Sequence, residues 1–103
     1  MPTRGLSYHR LARREVRDAI KWIARERRSG AIQFREELQR AHQAIETAAE
    51  SYPVEYRDVR WLRLGKFKYV VRFLILDDSH CRIIAVSHTS RRPRYWLGRL
   101  KRP

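Results

Sequence analysis

The spacing of apolar residues changes at Pro53, and this change restricts the chain to folds that combine helices with a sheet. Upstream of Pro53 the apolar residues recur every three or four positions, which is the period of an α-helix. Downstream they alternate with polar residues, which is the period of a β-strand. Pro53 marks the boundary itself, because a proline disfavours the helical conformation at the preceding residue, Tyr52.

Two helices are predicted upstream of Pro53. The first spans about 10–28 with a cationic side opposite its apolar side, and the second runs from Ala31 to Glu50. Ser29 and Gly30 are predicted to break the helical segment, with Gly30 able to take the left-handed conformation and either residue able to start the second helix. The seam of the second helix resembles a coiled coil, but its short length and the short connection favour an antiparallel hairpin. The seam consists of Ala31, Phe34, Leu38, Ala41, Ile45 and Ala48.

Strands are predicted on both sides of the hairpin, and the fold class is therefore α+β. An N-terminal strand precedes an antiparallel two-helix hairpin, which packs on a small, mostly antiparallel sheet in the order β-α-α-β-β-β. A short C-terminal tail follows, in which Lys101, Arg102 and Pro103 are expected to be solvated. The whole chain, residues 1–103, is predicted to be one domain. The predicted strands are 5–9, 59–64, 66–76 and 82–88.

The charge of the chain favours a polyanionic or acidic partner. The formal net charge is +13. The segment from residue 61 onward contains 11 basic side chains and only two acidic ones, Asp77 and Asp78. Cys81 is the only cysteine, so an internal disulfide is excluded and a reducing compartment fits. The N-terminus has no apolar signal segment, and no apolar run is long enough to span a bilayer. We therefore expect a cytoplasmic protein with no membrane partner.

Cationic residues on the predicted strands suggest one electropositive surface. Lys66, Lys68 and Arg72 are predicted to share one face of a strand. Arg82 and His88 are predicted to share one face of the adjacent strand. Arginine binds phosphate through paired hydrogen bonds and lysine through a point charge. The alternative is a solvated sheet face in a basic protein. Further cations that we expect to contact nucleic acid are Arg63, Arg92 and Arg94.

His88 ends the last predicted strand and is followed closely by Arg91. A histidine transfers protons near neutral pH, and neighbouring guanidinium groups stabilise a phosphorane, so this pair suits RNA cleavage by an attacking 2′-hydroxyl. A structural role for the histidine is the alternative. Tyr95 and Trp96 are able to stack on bases, although packing against the core, as an anchor of the tail, is the favoured interpretation of Trp96 together with Leu97.

No metal or cofactor site is predicted. His80 and Cys81 are adjacent and have no second pair at metal-ligand spacing. The four glycines are scattered, so a phosphate-binding glycine loop is not expected.

The chain resembles toxins of the RelE/ParE superfamily, the toxic half of type II toxin–antitoxin modules. Four segments carry the resemblance, and together they cover about 6–99. The resemblance implies two helices on a small, mostly antiparallel sheet. It also implies one of two activities, because RelE-like members cleave mRNA on the ribosome and ParE-like members poison DNA gyrase without a nuclease site. The segments are LARREVRDAIKWIARE, FREELQRAHQAIETAAESYP, VRWLRLGKFKYVVRFLILDD and IIAVSHTSRRPRYWLGR.

The resemblance also implies residue roles. Arg91 matches the arginine after the last strand of the RNases, Tyr95 matches their C-terminal tyrosine, and His88 lies where they have a lysine or histidine. The arginine usual on their middle strand is replaced here by Val70, and Arg72 lies two residues further on.

We interpret the chain as a toxin that arrests bacterial growth, with ribosome-dependent mRNA cleavage favoured. In that mechanism His88 is the general acid or base and Tyr95 stacks on a base, while Arg72 and Arg91 stabilise the phosphorane. Lys66 and Lys68 hold backbone phosphates. The expected partners are the ribosome, mRNA and a cognate acidic or amphipathic antitoxin. One alternative is a ParE-like gyrase poison, and a second is a non-toxic nucleic-acid-binding module.

Overall fold

The computed structural model describes residues 3–100 as five strands and two long helices. The expectation that Lys101, Arg102 and Pro103 are solvated falls outside these residues. The predicted fold class is confirmed, with one additional strand. The strands and helices in chain order are β1 (Gly5–Tyr8), α1 (Arg10–Glu26), α2 (Arg28–Ala48), β2 (Val54–Tyr56), β3 (Val59–Arg63), β4 (Tyr69–Asp77) and β5 (His80–His88), with 3₁₀ turns at Ala49–Ser51 and Leu97–Leu100.

The break between the helices lies at Arg27, not at Ser29 and Gly30 as predicted. Arg27 is extended (φ −164°, ψ 122°), and Arg28 already begins α2. Gly30 lies inside α2, where an added Cβ would meet the Ile23 Cγ2 atom at 3.1 Å. The glycine is therefore explained by the close approach of α2 to the end of α1, and its sequence signal as a helix terminator was misleading.

The strands form one sheet in the order β1-β5-β4-β3-β2. β1 and β5 are parallel, and every other neighbouring pair is antiparallel. Sequence analysis missed β2, because three residues after a proline are too short to show alternation. Both helices cover one face of the sheet, which we call the helix face; the opposite face is called the far face.

Apolar side chains cover both faces of the sheet. On the helix face, Phe34 of α2 is fully buried and meets the rings of Phe67 and Tyr69 edge to face, at 5.3 and 5.2 Å. On the far face, Trp96 is fully buried against Val59. The predicted role of Trp96 as an anchor of the C-terminal tail is confirmed, whereas Leu97 is 41% exposed and is not an anchor.

The β3–β4 connection is longer than predicted. Leu64 donates its N–H to the carbonyl of Tyr69 (3.0 Å), and Gly65 adopts the left-handed conformation (φ 52°) between them. Lys66 and Lys68 are thus exposed loop residues and do not alternate with Arg72 on a strand. The prediction that these three cations share a strand face is therefore wrong.

A β-bulge in β5 overturns a second geometric prediction. Arg72 lies opposite Ala85 and the next residue, Phe73, lies opposite Ile83, so Ile84 is an extra residue in β5. One extra residue reverses the alternation of side chains on that strand. Arg82 therefore lies on the far face, whereas His88 lies opposite Tyr69 on the helix face.

Replacing Trp96 by alanine should lower the free energy of unfolding by about 3–5 kcal/mol, because a fully buried indole leaves a cavity. Urea unfolding followed by far-ultraviolet circular dichroism measures the change. The matched control is Trp22→Ala, since Trp22 is 59% exposed on α1. That control should change the stability by about 0.5 kcal/mol or less. Equal losses in the two variants would contradict the anchoring role of Trp96.

Candidate functional site

The C-terminal end of β5 and the middle of α1 enclose a cleft of about 350 Å³. His88 and Arg91 lie on the strand side of this cleft, and Asp18 and Trp22 lie on the helix side. The cleft is therefore where two of the four predicted catalytic residues meet. Its other lining residues are Glu15, Ala19, Tyr69, Val86, Ser87 and Ser90.

The His88 ring is held by the turn that follows it. Its Nδ1 atom accepts a hydrogen bond from the Ser90 N–H (3.0 Å) and lies 2.8 Å from the Ser90 hydroxyl. The ring also contacts Tyr69 edge to face at 5.4 Å. Because a backbone N–H only donates, Nδ1 is the acceptor and the proton of the neutral ring lies on Nε2. In this arrangement the exposed nitrogen is a hydrogen-bond donor and not a base.

Glu15 is the centre of the site, and sequence analysis missed it. Its carboxylate accepts hydrogen bonds from the Val86 N–H (2.9 Å), the Tyr95 hydroxyl (2.7 Å) and both terminal nitrogens of Arg99 (2.9 Å each). Its side chain is only 13% exposed. The one available signal was that Glu15 is the sole acidic residue of the first two turns of a cationic helix.

Tyr95 is held by both its hydroxyl and its ring. The hydroxyl donates to Glu15, and burial raises the pKa of Tyr95 to about 12. The guanidinium carbons of Arg91 and Arg99 lie 3.9 and 5.0 Å from the ring centroid. Arg91 also lies 4.0 Å from the Glu15 carboxylate. The ring that was predicted to stack on a base thus already contacts two cations.

Arg72 lies on the far face, away from His88. Its Nε and Nη2 atoms donate to the Glu55 carboxylate at 2.7 and 3.4 Å, and its guanidinium lies 5.7 Å from the Trp96 ring centroid. Of the four predicted catalytic residues, the structure brings together His88, Arg91 and Tyr95 near the end of β5. It places Arg72 on the face of the sheet opposite His88.

The predicted nucleic-acid-binding residues lie in four parts of the chain: the end of β3, the β3–β4 loop, β5 and the segment after β5. Lys66 and Lys68 project from the β3–β4 loop beside Arg63, which is exposed at the end of β3. Arg82 is half-buried on the far face. The remaining two, Arg92 and Arg94, are exposed in the segment after β5.

Neither a metal cluster nor a membrane span is found among residues 3–100. They contain no group of three or more histidine, cysteine or acidic side chains placed to hold a metal ion. Neither α1 nor α2 is long and apolar enough to cross a bilayer.

Comparison with known proteins identifies the family. Residues 6–93 match the family model described as the ParE toxin of the type II toxin–antitoxin system, parDE. The chain belongs to the ParE toxin family. The predicted resemblance to RelE/ParE toxins is thereby confirmed, and membership implies an antitoxin partner. The residue roles in mRNA cleavage are not tested by this match and stay predictions.

A solved structure shows that this ParE-family chain has the fold of a known system. The match is a chain of the chromosomal ParDE TA system from P. aeruginosa, with a TM-score of 0.66 and 18% sequence identity. It covers 84% of this chain and 96% of that chain. At this identity the likeness concerns the fold alone. No curated protein sequence matches the chain significantly.

Replacing Glu15 by glutamine should lower the free energy of unfolding by about 3 kcal/mol, because Arg99, whose side chain is 11% exposed, loses its charged partner. Urea unfolding at neutral pH measures the change. The matched control is Glu37→Gln, which removes the partner of the 65% exposed Arg40 and should cost about 1 kcal/mol or less. A loss at Glu15 no larger than the loss at Glu37 would show that the buried network does not stabilise the fold.

Proposed function

We propose that this toxin arrests growth by binding DNA gyrase and that it does not cleave RNA. The observation that carries the proposal is that the side chains predicted to perform RNA cleavage are engaged in bonds within the protein. Arg72 is paired with Glu55, the Tyr95 hydroxyl is bonded to Glu15, and His88 is bonded through Nδ1 to Ser90. Gyrase as the target is the activity implied by the resemblance to ParE-like toxins.

Electrostatics favours this proposal over cleavage. A phosphorane is stabilised by positive charges that are fixed in advance and aimed at the phosphate oxygens. In the cleft, Arg91 lies beside the Glu15 carboxylate at 4.0 Å, and Asp18 lines the same space. Glu15 is already neutralised by its two bonds to Arg99, so Asp18 is the carboxylate that repels a phosphodiester and offsets the charge of Arg91.

The rim of the cleft suits protein binding. Trp22 is 59% exposed on α1 and lines the cleft together with the exposed Arg91. Tryptophan and arginine are enriched in protein–protein interfaces and often contribute most of the binding energy. We propose that this rim contacts the target protein.

A separate groove is the proposed site for the antitoxin. It lies between α1 and α2, has a volume of about 520 Å³ and contains Val16, Ile20 and Leu38 among its lining residues. Four cations also line it, and three of them repeat along α1 at four-residue spacing, where like charges repel. An acidic amphipathic helix would bury the apolar floor and neutralise this rim. The four cations are Arg13, Arg17, Lys21 and Arg35.

Ribosome-dependent mRNA cleavage is the second candidate, because one observation favours it. His88 and Arg91 line the same cleft, as expected if the two side chains act together on RNA. Cleavage by this pair would require the Nδ1 bonds of His88 to Ser90 to break or a base other than His88 to act.

Expression of the toxin without antitoxin should separate the two candidates. We expect loss of gyrase supercoiling activity and accumulation of cleaved DNA, with ribosome-bound mRNA intact. A His88→Ala, Arg91→Ala variant should yield no change in mRNA integrity, because the wild type does not cut it. If the wild type cleaves mRNA and the folded double variant does not, mRNA cleavage is the function and gyrase poisoning is wrong.

Charge reversal tests the antitoxin groove. Arg17→Glu should weaken binding of the cognate antitoxin by about tenfold or more, since it places like charges together across the interface. The matched control is Arg63→Glu, which reverses an equally exposed cation outside the groove. Titration calorimetry measures both affinities. Equal weakening by the two variants would indicate long-range attraction only and would contradict docking in the groove.

A further inference from the structure

Two arginines from distant parts of the chain converge on one tyrosine. The guanidinium carbon of Arg94 lies 4.4 Å from the Tyr56 ring centroid, and that of Arg57 lies 5.3 Å from it. Arg57 belongs to the β2–β3 turn, and Arg94 to the segment after β5. Tyr56 in turn contacts the buried Trp96, with the ring centroids 6.4 Å apart. Both guanidinium groups therefore contact a tyrosine ring that itself packs against the buried Trp96.

The backbone at both arginines is unusual. They are the only non-glycine residues among 3–100 with positive φ, at 51° for Arg57 and 55° for Arg94. The left-handed region is disfavoured for residues with a Cβ atom. The turns that place these two guanidiniums over one ring thus adopt conformations that a glycine or asparagine would adopt more readily.

The two cations have no acidic partner in the described part of the chain. Neither Arg57 nor Arg94 forms an ion pair with any carboxylate of residues 3–100, although both are exposed. The neighbouring carboxylate of Glu55 is bound to Arg72. Like charges that are held near each other without a counter-ion attract an anion.

We propose that Tyr56, Arg57 and Arg94 form a phosphate clamp that grips the backbone of double-stranded DNA. The two guanidiniums would each donate hydrogen bonds to phosphodiester oxygens, while the cation–π contacts with Tyr56 keep them positioned before binding. Trp61, 36% exposed, and Arg63 extend the surface along β3 on the same far face. Such contacts hold the backbone and carry no base specificity.

The choice of duplex DNA rests on the proposed function, since gyrase presents a duplex to any protein bound beside it. The clamp lies apart from the antitoxin groove. Its residues project from the β2–β3 turn and the segment after β5, whereas the antitoxin groove lies between the helices. A bound antitoxin and a gripped duplex would thus contact different parts of the toxin.

The salt dependence of binding tests the clamp. A fluorescein-labelled DNA duplex is titrated with the toxin at several sodium chloride concentrations, and fluorescence anisotropy gives the affinity. Arg57→Asn with Arg94→Asn removes both charges while asparagine tolerates positive φ. The slope of log affinity against log salt should become shallower by about 2, the number of phosphate contacts removed.

The matched control is Arg25→Gln with Arg28→Gln, which removes the same charge from exposed helix positions outside every proposed surface. It should leave the slope nearly unchanged. Equal changes in the two double variants, with melting curves showing both folded, would overturn the clamp. Stronger binding to a single-stranded RNA of the same length would overturn the assignment to duplex DNA.

A supercoiling assay on the same proteins separates this proposal from the proposed function. If the wild type inhibits gyrase and the Arg57→Asn, Arg94→Asn variant keeps the wild-type salt slope, the clamp is wrong and gyrase poisoning stands. If the variant has the shallower slope and the wild type leaves gyrase active, the clamp stands and gyrase poisoning is wrong.

Discussion

The carboxylate of Glu15 accepts a backbone hydrogen bond from β5 where β1 no longer pairs with it. The arrangement of the C-terminal segment depends on this carboxylate. β1 pairs only with the first four residues of β5, from His80 to Ile83. Beyond them the Val86 N–H donates to Glu15 and the Ile84 carbonyl accepts from Arg99. Burying this ion pair costs several kcal/mol, and the paired geometry together with the backbone bonds offsets the cost. The network fixes Arg99 and Tyr95 against the edge of the sheet.

This network also limits the chemistry that the end of β5 performs. The resemblance to RNA-cleaving toxins predicted catalytic roles for His88, Arg91 and Tyr95. The Tyr95 hydroxyl is bonded to Glu15 and the His88 ring to Ser90, whereas Arg91 lies 4.0 Å from the Glu15 carboxylate and its side chain is 54% exposed. Side chains that stabilise a fold are poorly suited to move protons or to receive a phosphate, because their polar atoms are already satisfied. Binding with exposed aromatic and cationic groups needs no such freedom, and it is the function that we propose.

Sequence reasoning succeeded where the signal is local or repetitive. The seam of α2 from Ala31 to Ile45, the alternation in β4 and the burial of Trp96 were predicted because period and hydrophobicity report directly on packing. The prediction failed at Gly30. This glycine allows α2 to approach Ile23 of α1 closely, and such a contact between two helices is not visible in a local sequence pattern. It failed also at the bulge of β5, because nothing in the residues around Ile84 marks an extra position in the ladder.

The sequence by itself determined the class of the fold, the family and the residues that cluster after β5. The tertiary structure alone decided what those residues contact. The bulge at Ile84 placed Arg82 and His88 on opposite faces, and Glu15, 80 positions upstream of Tyr95, bound the tyrosine that was expected to be free. Arg57 and Arg94 likewise both contact the ring of Tyr56. The physical reason is that hydrogen bonds and ion pairs form between atoms close in space, and spacing along the chain records only the regular elements, not how they meet.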